Sequence, residues 1–164
     1  MEIRTLLRQR LRVTAALAAA AIGALSLPAT PANAAAVYWN FRNAYTGNCL
    51  TAGVNNGGTG KAYVTTCTYG ASQEWDFVGG VKGEQQLKNK ATGLCLDTDN
   101  KSSQNVVWTD SCSLKSDGEY FAYSHNLYSY ADTWLYTSTA NPGAVYGTRD
   151  ATTQPQFVWT GSTN

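Results

Sequence analysis

The sequence predicts an all-β domain made of three copies of one short unit around a pseudo-threefold axis, and three observations carry that prediction. Thr46-Gly47-Asn48-Cys49-Leu50 returns as Thr92-Gly93-Leu94-Cys95-Leu96, and each is followed by a second cysteine, Cys67 and Cys112. A third copy without cysteines continues the phase, because Leu87-Lys88-Asn89 through Asp97-Thr98 aligns without gaps on Leu127-Tyr128-Ser129 through Thr137-Ser138. Beyond the N-terminal segment no stretch sustains a helical period, and Gly or Pro interrupts nearly every one. A unit of about 40 residues with three or four short strands cannot bury its own apolar face, so the three units share one core. A four-bladed propeller would need a fourth copy, and the sequence has none.

The elements follow in chain order. Residues 1–34 read as a secretory signal peptide: Arg4, Arg8, Arg10 and Arg12, an alanine-rich apolar run from Val13 to Leu27, then Ala32-Asn33-Ala34 before the expected cleavage. As a membrane anchor the run is short of the roughly 20 residues that span a bilayer, so no membrane insertion is expected. Residues 35–164 form one domain, with repeats at about 37–79, 80–125 and 126–164. Val37 to Asn43 is a first strand leading into the turn before Cys49, and matching strands run from Gln86 to Asn89 and from Leu127 to Tyr130. Each copy then has a strand carrying an aromatic step, Ala62-Tyr63, Val107-Trp108 and Val145-Tyr146. Each closes on an aromatic, read as Trp75, Tyr120 and Trp159. Leu50, Leu96, Leu135 and those three closing residues make up the expected core.

Four cysteines in an exported chain imply two disulfides. Of three possible pairings the repeat selects Cys49 with Cys67 and Cys95 with Cys112, since these occupy matching positions in two copies. Each contributes about 3 kcal/mol on a chain-entropy model. A four-cysteine metal site is rejected because no close Cys-x-x-Cys pair exists and His125 is the only histidine. The predicted mature part has eight Lys and Arg against ten Asp and Glu, which argues against a nucleic-acid partner. Its abundance of aromatic, Gly, Thr, Ser and Asn residues suits short strands, polar turns and aromatic binding surfaces.

The two Thr-Gly-x-Cys-Leu motifs, their partner cysteines and Gln73-Glu74-Trp75, read as a Gln-x-Trp signature, resemble the ricin-type lectin family. The resemblance spans essentially the whole of residues 35–164 and implies a β-trefoil that binds carbohydrate without catalysis. It is uneven. Gly118-Glu119-Tyr120 stands where the second Gln-x-Trp is expected, and the third copy preserves an aromatic at Trp159 but not the spacing. The third copy has also lost its cysteines, with Leu135 at the first position.

In that family a carboxylate sits two residues after the first cysteine, to accept bonds from adjacent sugar hydroxyls. That residue is Asp97 here, against Thr51 and Thr137 in the other copies. The family's stacking aromatic lies two residues before the second cysteine, where this chain has Asp110; Trp108 stands two residues earlier and on a strand faces the same side. One carbohydrate site is therefore expected, from Asp97, Trp108, Asp110 and the loop residue Asn100. The recurrence of Tyr63, Trp108 and Tyr146 is equally what a structural collar would show, and Asp97 also suits a turn carboxylate that binds backbone N–H groups. Gln73 reads as structural.

Asp97-Thr98-Asp99-Asn100 lacks the glycine and terminal glutamate of a calcium loop. No nucleophile motif accompanies His125, so neither enzyme activity nor a cofactor or metal is expected. The reading is a secreted, extracellular carbohydrate-binding module. The alternative is a degenerate trefoil, such as an exported inhibitor or toxin component, that binds a protein partner through the loops after Cys49, Cys95 and Tyr136.

Overall fold

The computed structural model describes residues 35–53, 60–81 and 83–164. The predicted signal peptide, residues 1–34, and most of the loop that follows Cys49 in the first repeat lie outside the described residues. The described residues form twelve strands: β1 Tyr38–Asn43, β2 Cys49–Ala52, β3 Gly60–Thr65, β4 Trp75–Val81, β5 Glu84–Asn89, β6 Cys95–Thr98, β7 Asn105–Asp110, β8 Tyr120–Tyr123, β9 Leu127–Ser129, β10 Thr133–Thr137, β11 Val145–Thr148 and β12 Trp159–Thr163. Three short 3-10 helices, Ala71–Gln73, Asp117–Glu119 and Pro155–Phe157, precede the fourth strand of each repeat. Among the described residues no helix is long and apolar enough to cross a membrane.

Six strands build an antiparallel barrel in the order β9-β8-β5-β4-β1-β12. At the seam between its two ends the Trp159 N–H donates to the His125 carbonyl at 2.8 Å. The hairpins β2–β3, β6–β7 and β10–β11 cap one end. Pairing of β3 with β7 and of β7 with β11 joins them, and a single bridge between Tyr63 and Ala144 completes the ring. This is the three-unit all-β architecture, a β-trefoil, that the repeats predict.

One residue at the end of each first strand organises its repeat. The Asn43 side chain donates to the carbonyls of Gln156 and Val158, and Asn89 likewise to Ser72 and Glu74. Ser129 Oγ donates to the Gly118 carbonyl at 3.3 Å. Each thus fastens the 3-10 helix of the preceding repeat. The Asn43 and Asn89 side-chain oxygens also accept the N–H groups of their own turns, from Tyr45 and Thr46 and from Ala91 and Thr92. The turns close on a positive φ at Gly47, Gly93 and Asp132 (68°, 68° and 62°), where glycine, or an acid that tolerates the left-handed region, is favoured.

Three layers of threefold-related side chains fill the core, all essentially inaccessible: Phe41, Leu87 and Leu127; Leu50, Leu96 and Leu135; Trp75, Phe121 and Trp159. Burying side chains of this kind is worth about 1.5–3 kcal/mol each. The Trp75 and Trp159 indoles donate to the Leu50 and Leu135 carbonyls at 3.1 and 3.0 Å, so the layers are tied as well as packed. Both disulfides form as the repeat pairs them, Cys49–Cys67 and Cys95–Cys112.

Two readings of the repeat are corrected by one residue each. Phe121 lies opposite Ser129 as Trp75 lies opposite Asn89 and Trp159 opposite Asn43. The closing aromatic of the second copy is therefore Phe121, and Tyr120, although buried, occupies the place of Glu74. In the third copy Asp132 follows Ser129 by three residues, whereas Gly47 and Gly93 follow their asparagines by four. Trp134 thus takes the first cysteine's place, Leu135 that of Leu50 and Leu96, and Tyr136 that of Asp97. Trp134 packs on Tyr128 with ring centroids 4.7 Å apart, replacing the missing disulfide by contact.

At the barrel end away from the hairpins, Trp39 packs edge-on against Phe77 and Tyr123. The register makes Gly161 the third-repeat equivalent of Phe77 and Tyr123. The Tyr123 hydroxyl accepts the Gly161 N–H at 2.6 Å and donates to the Trp159 carbonyl. A Cβ on Gly161 would come within 2.8 Å of that ring.

Candidate functional site

The β6–β7 hairpin sets Asp97 directly opposite Trp108 and Cys95 opposite Asp110. Along β7 the side chains alternate: Asn105, Val107 and Thr109 are buried, while Val106, Trp108 and Asp110 emerge on the other face. Asp97, Trp108 and Asp110 therefore share the outer face of one hairpin. Asn100 does not join them. Its side chain donates to the Ala131 carbonyl at 2.6 Å and accepts from Arg149 Nε, and its own carbonyl accepts from the same guanidinium at 3.0 Å. Asn100 fastens the second repeat to the third.

Asp97 is only 6% exposed. Its Oδ1 accepts the Thr98 N–H at 2.8 Å and the Ser116 hydroxyl at 3.2 Å, while Oδ2 has a longer, 3.5 Å contact with the same hydroxyl. Burial pushes its pKa up to about 6; the charges of Glu119 and Asp110 reinforce the shift, and the Thr98 N–H and Ser116 hydroxyl oppose it. The chain can pass this close to Asp97 because residue 118 is glycine: a Cβ there would lie 1.7 Å from the Thr98 carbonyl oxygen and 2.4 Å from Asp97 Oδ1.

Behind Asp97 stands a residue whose part the sequence reading missed. Glu119 is buried, and its Oε2 accepts the Ser113 N–H at 2.6 Å and a bond from the Gln86 side chain. Burial raises its pKa, with the Asp110 charge in support and the Ser113 and Gln86 bonds opposing. In the first repeat Gln73 holds the equivalent place. Its Oε1 accepts the N–H groups of Thr68 and Tyr69, and its Nε2 donates to Thr51 Oγ1 at 3.1 Å and to the Thr66 carbonyl. Gln73 is structural, and Glu119-x-Phe121 is the second copy's version of Gln73-x-Trp75. An acid for an amide and one phenyl ring for an indole, read one residue later, was the available signal.

The corresponding positions elsewhere are chemically different. In the first repeat Thr51 lies opposite Tyr63, and Gln73 occupies the threonine hydroxyl. In the third repeat Tyr136 lies opposite Tyr146 and stacks on Phe157 with centroids 5.0 Å apart. A carboxylate beside an indole occurs in the second repeat alone. Among the described residues no group of His, Cys, Asp or Glu is arranged to hold a metal ion.

The model of the ricin-type beta-trefoil lectin domain family matches residues 37–141. Among curated proteins none matches the chain. Solved structures of similar fold include a designed threefold-symmetric protein, ThreeFoil (TM-score 0.63, 19% identity, covering 76% of this chain and 96% of that one). The C-half of an earthworm R-type lectin in complex with GalNAc is similar at TM-score 0.60 and 14% identity, covering 78% and 99%. An exo-beta-1,3-galactanase from Clostridium thermocellum is similar at TM-score 0.66 and 16% identity, covering 80% of this chain and 31% of the enzyme. At these identities the likeness is one of fold.

Proposed function

We propose, from the premise that this chain belongs to the ricin-type β-trefoil lectin domain family, that it is a secreted, non-catalytic carbohydrate-binding module with one sugar site in its second repeat. The observation that carries the site is the Asp97–Trp108 cross-strand pair, which the other two hairpins replace by Thr51–Tyr63 and Tyr136–Tyr146. In this reading the Trp108 ring covers the apolar C–H side of a pyranose. Asp97 accepts its hydroxyls, one of which takes the place of the Ser116 hydroxyl. Asp110 adds a second acceptor at the edge. A single shallow site of this kind holds a monosaccharide at about millimolar strength, or about 4 kcal/mol. Two disulfides support an extracellular setting.

A glycan and polysaccharide array probed with residues 35–164, beside Asp97→Asn and Trp108→Ala, tests the reading. GalNAc and β-1,3-galactan belong on it, given the fold neighbours. Saturable binding weakened in Asp97→Asn and lost in Trp108→Ala is expected. A folded, disulfide-bonded sample that binds no glycan would reject the sugar site and favour a protein partner.

A further inference from the structure

The outer face of the hairpin cap has a feature that this site does not use. Toward the pseudo-threefold axis each aromatic is paired again with a residue of the next hairpin: Trp108 with Lys61, Tyr146 with Val106 and Tyr63 with Ala144. Residues paired across antiparallel strands share a face. Three rows therefore radiate from the axis: Lys61–Trp108–Asp97, Val106–Tyr146–Tyr136 and Ala144–Tyr63–Thr51. Their inner ends meet at an open cavity of about 540 Å³. The buried Ala62, Val107 and Val145 form its floor, Tyr63 and Tyr146 are among its walls, and Lys61 and Asn141 supply polar groups. Val106 is 62% exposed and Tyr63 37%, although both lie at the middle of the cap. Apolar walls of this size with a few polar groups have the make-up of a ligand site.

We propose that this axial cavity is a second saccharide subsite, continuous along the Lys61–Trp108–Asp97 row with the site in the second repeat, so that the domain grips a chain of several pyranose units. The inference rests on the carbohydrate reading above and extends it. Trp108 is the shared element, with the acceptor Asp97 on one side and the donor Lys61 on the other. Lys61 makes no ion pair among the described residues, whereas Lys90 and Lys101 do, with Glu74 and Asp99. Its ammonium is thus available to hydroxyls. The row crosses two strand spacings, roughly 10 Å, a span longer than one pyranose ring. Tyr63 and Tyr146 offer aromatic surface to the next units, whose C–H faces need cover but no charge. A neutral chain fits best, because Lys61 near the axis and the acids at the periphery are of opposite sign.

The test is calorimetric titration of residues 35–164 with galactose and with β-1,3-linked galactose oligomers of two to five units. Affinity is expected to rise about tenfold or more between one and three units. Tyr63→Ala and Val106→Trp, which respectively remove a wall and fill the cavity from exposed positions, should abolish that gain and leave galactose binding unchanged. Asp97→Asn should weaken every length. Equal affinity at all lengths, or a gain that survives both axial variants, overturns the axial subsite while leaving the Asp97 site standing. Absence of binding by every oligomer to a folded sample overturns it too, and the array then decides separately whether any sugar is bound.

Discussion

Glu119 stands where Gln73 stands. Each accepts the N–H of the residue after its repeat's second cysteine, from Ser113 at 2.6 Å and from Thr68 at 2.7 Å. Both are buried. The amide and the acid are thus alternative solutions to one problem, a backbone donor that burial would otherwise leave unpaired.

Glu119→Ala should therefore cost about 2 kcal/mol, because it orphans the Ser113 N–H and leaves the Gln86 amide only the Ser113 carbonyl as acceptor. Glu119→Gln keeps one carbonyl acceptor and removes a buried charge, so it should match or exceed the wild type at pH 7. Urea denaturation of the three proteins measures both outcomes.

Stability should depend on pH with an unusual sign. Folding raises the pKa of Asp97 to about 6 and also raises that of Glu119, in both cases mainly by burial. A group whose folded pKa exceeds its unfolded value stabilises the fold fully below the unfolded pKa and loses that contribution as pH rises through the folded pKa. The melting temperature should fall between pH 4 and pH 7, with Asp97 alone accounting for on the order of 2–3 kcal/mol. Asp97→Asn should flatten the curve over that window.

Sugar binding should run the other way. The ionised carboxylate accepts hydroxyl bonds and the protonated one gives up part of that capacity, so affinity should climb as pH passes 6 and level off above it. Titrations at pH 5 and pH 7.5 with any glycan found on the array would show the difference, and Asp97→Asn should erase the pH dependence.

Gly118→Ala is the most damaging small change on this face. Its methyl would sit 1.7 Å from the Thr98 carbonyl oxygen, and relief requires β6 or the Asp117–Glu119 helix to move. A loss of about 3 kcal/mol is expected, read by thermal unfolding, together with loss of sugar binding even where the protein still folds.

Much of this was legible in the residues. Thr-Gly-x-Cys-Leu marks the turn and the strand after it in two repeats, and matching cysteines pair because their repeats fold alike. The errors arose where an anchor was missing. With no cysteine in the third copy, nothing in the sequence marks that its turn reaches Asp132 one residue sooner, and an ungapped alignment puts Thr137 where Tyr136 belongs. In the second copy Tyr120 and Phe121 are adjacent aromatics, and only strand pairing shows which one lies over the core. The bond between Asn100 and Arg149 was hidden for a different reason: the two lie 49 residues apart, on different repeats, where no local spacing reveals it.

The aromatic mouth of the barrel bears on how far such a chain could be made symmetric. Phe77, Tyr123 and Gly161 are equivalent positions, and the Tyr123 ring lies where a side chain on Gly161 would go. The mouth holds two large rings at these three places, and one of them covers the third. Copying one repeat three times would set three rings or three glycines there and would change Trp39 with them, because Gln85 stands in the second repeat where Trp39 stands in the first. The three units have diverged into a set in which each supplies a different share, so a redesign with identical repeats would have to repack the mouth.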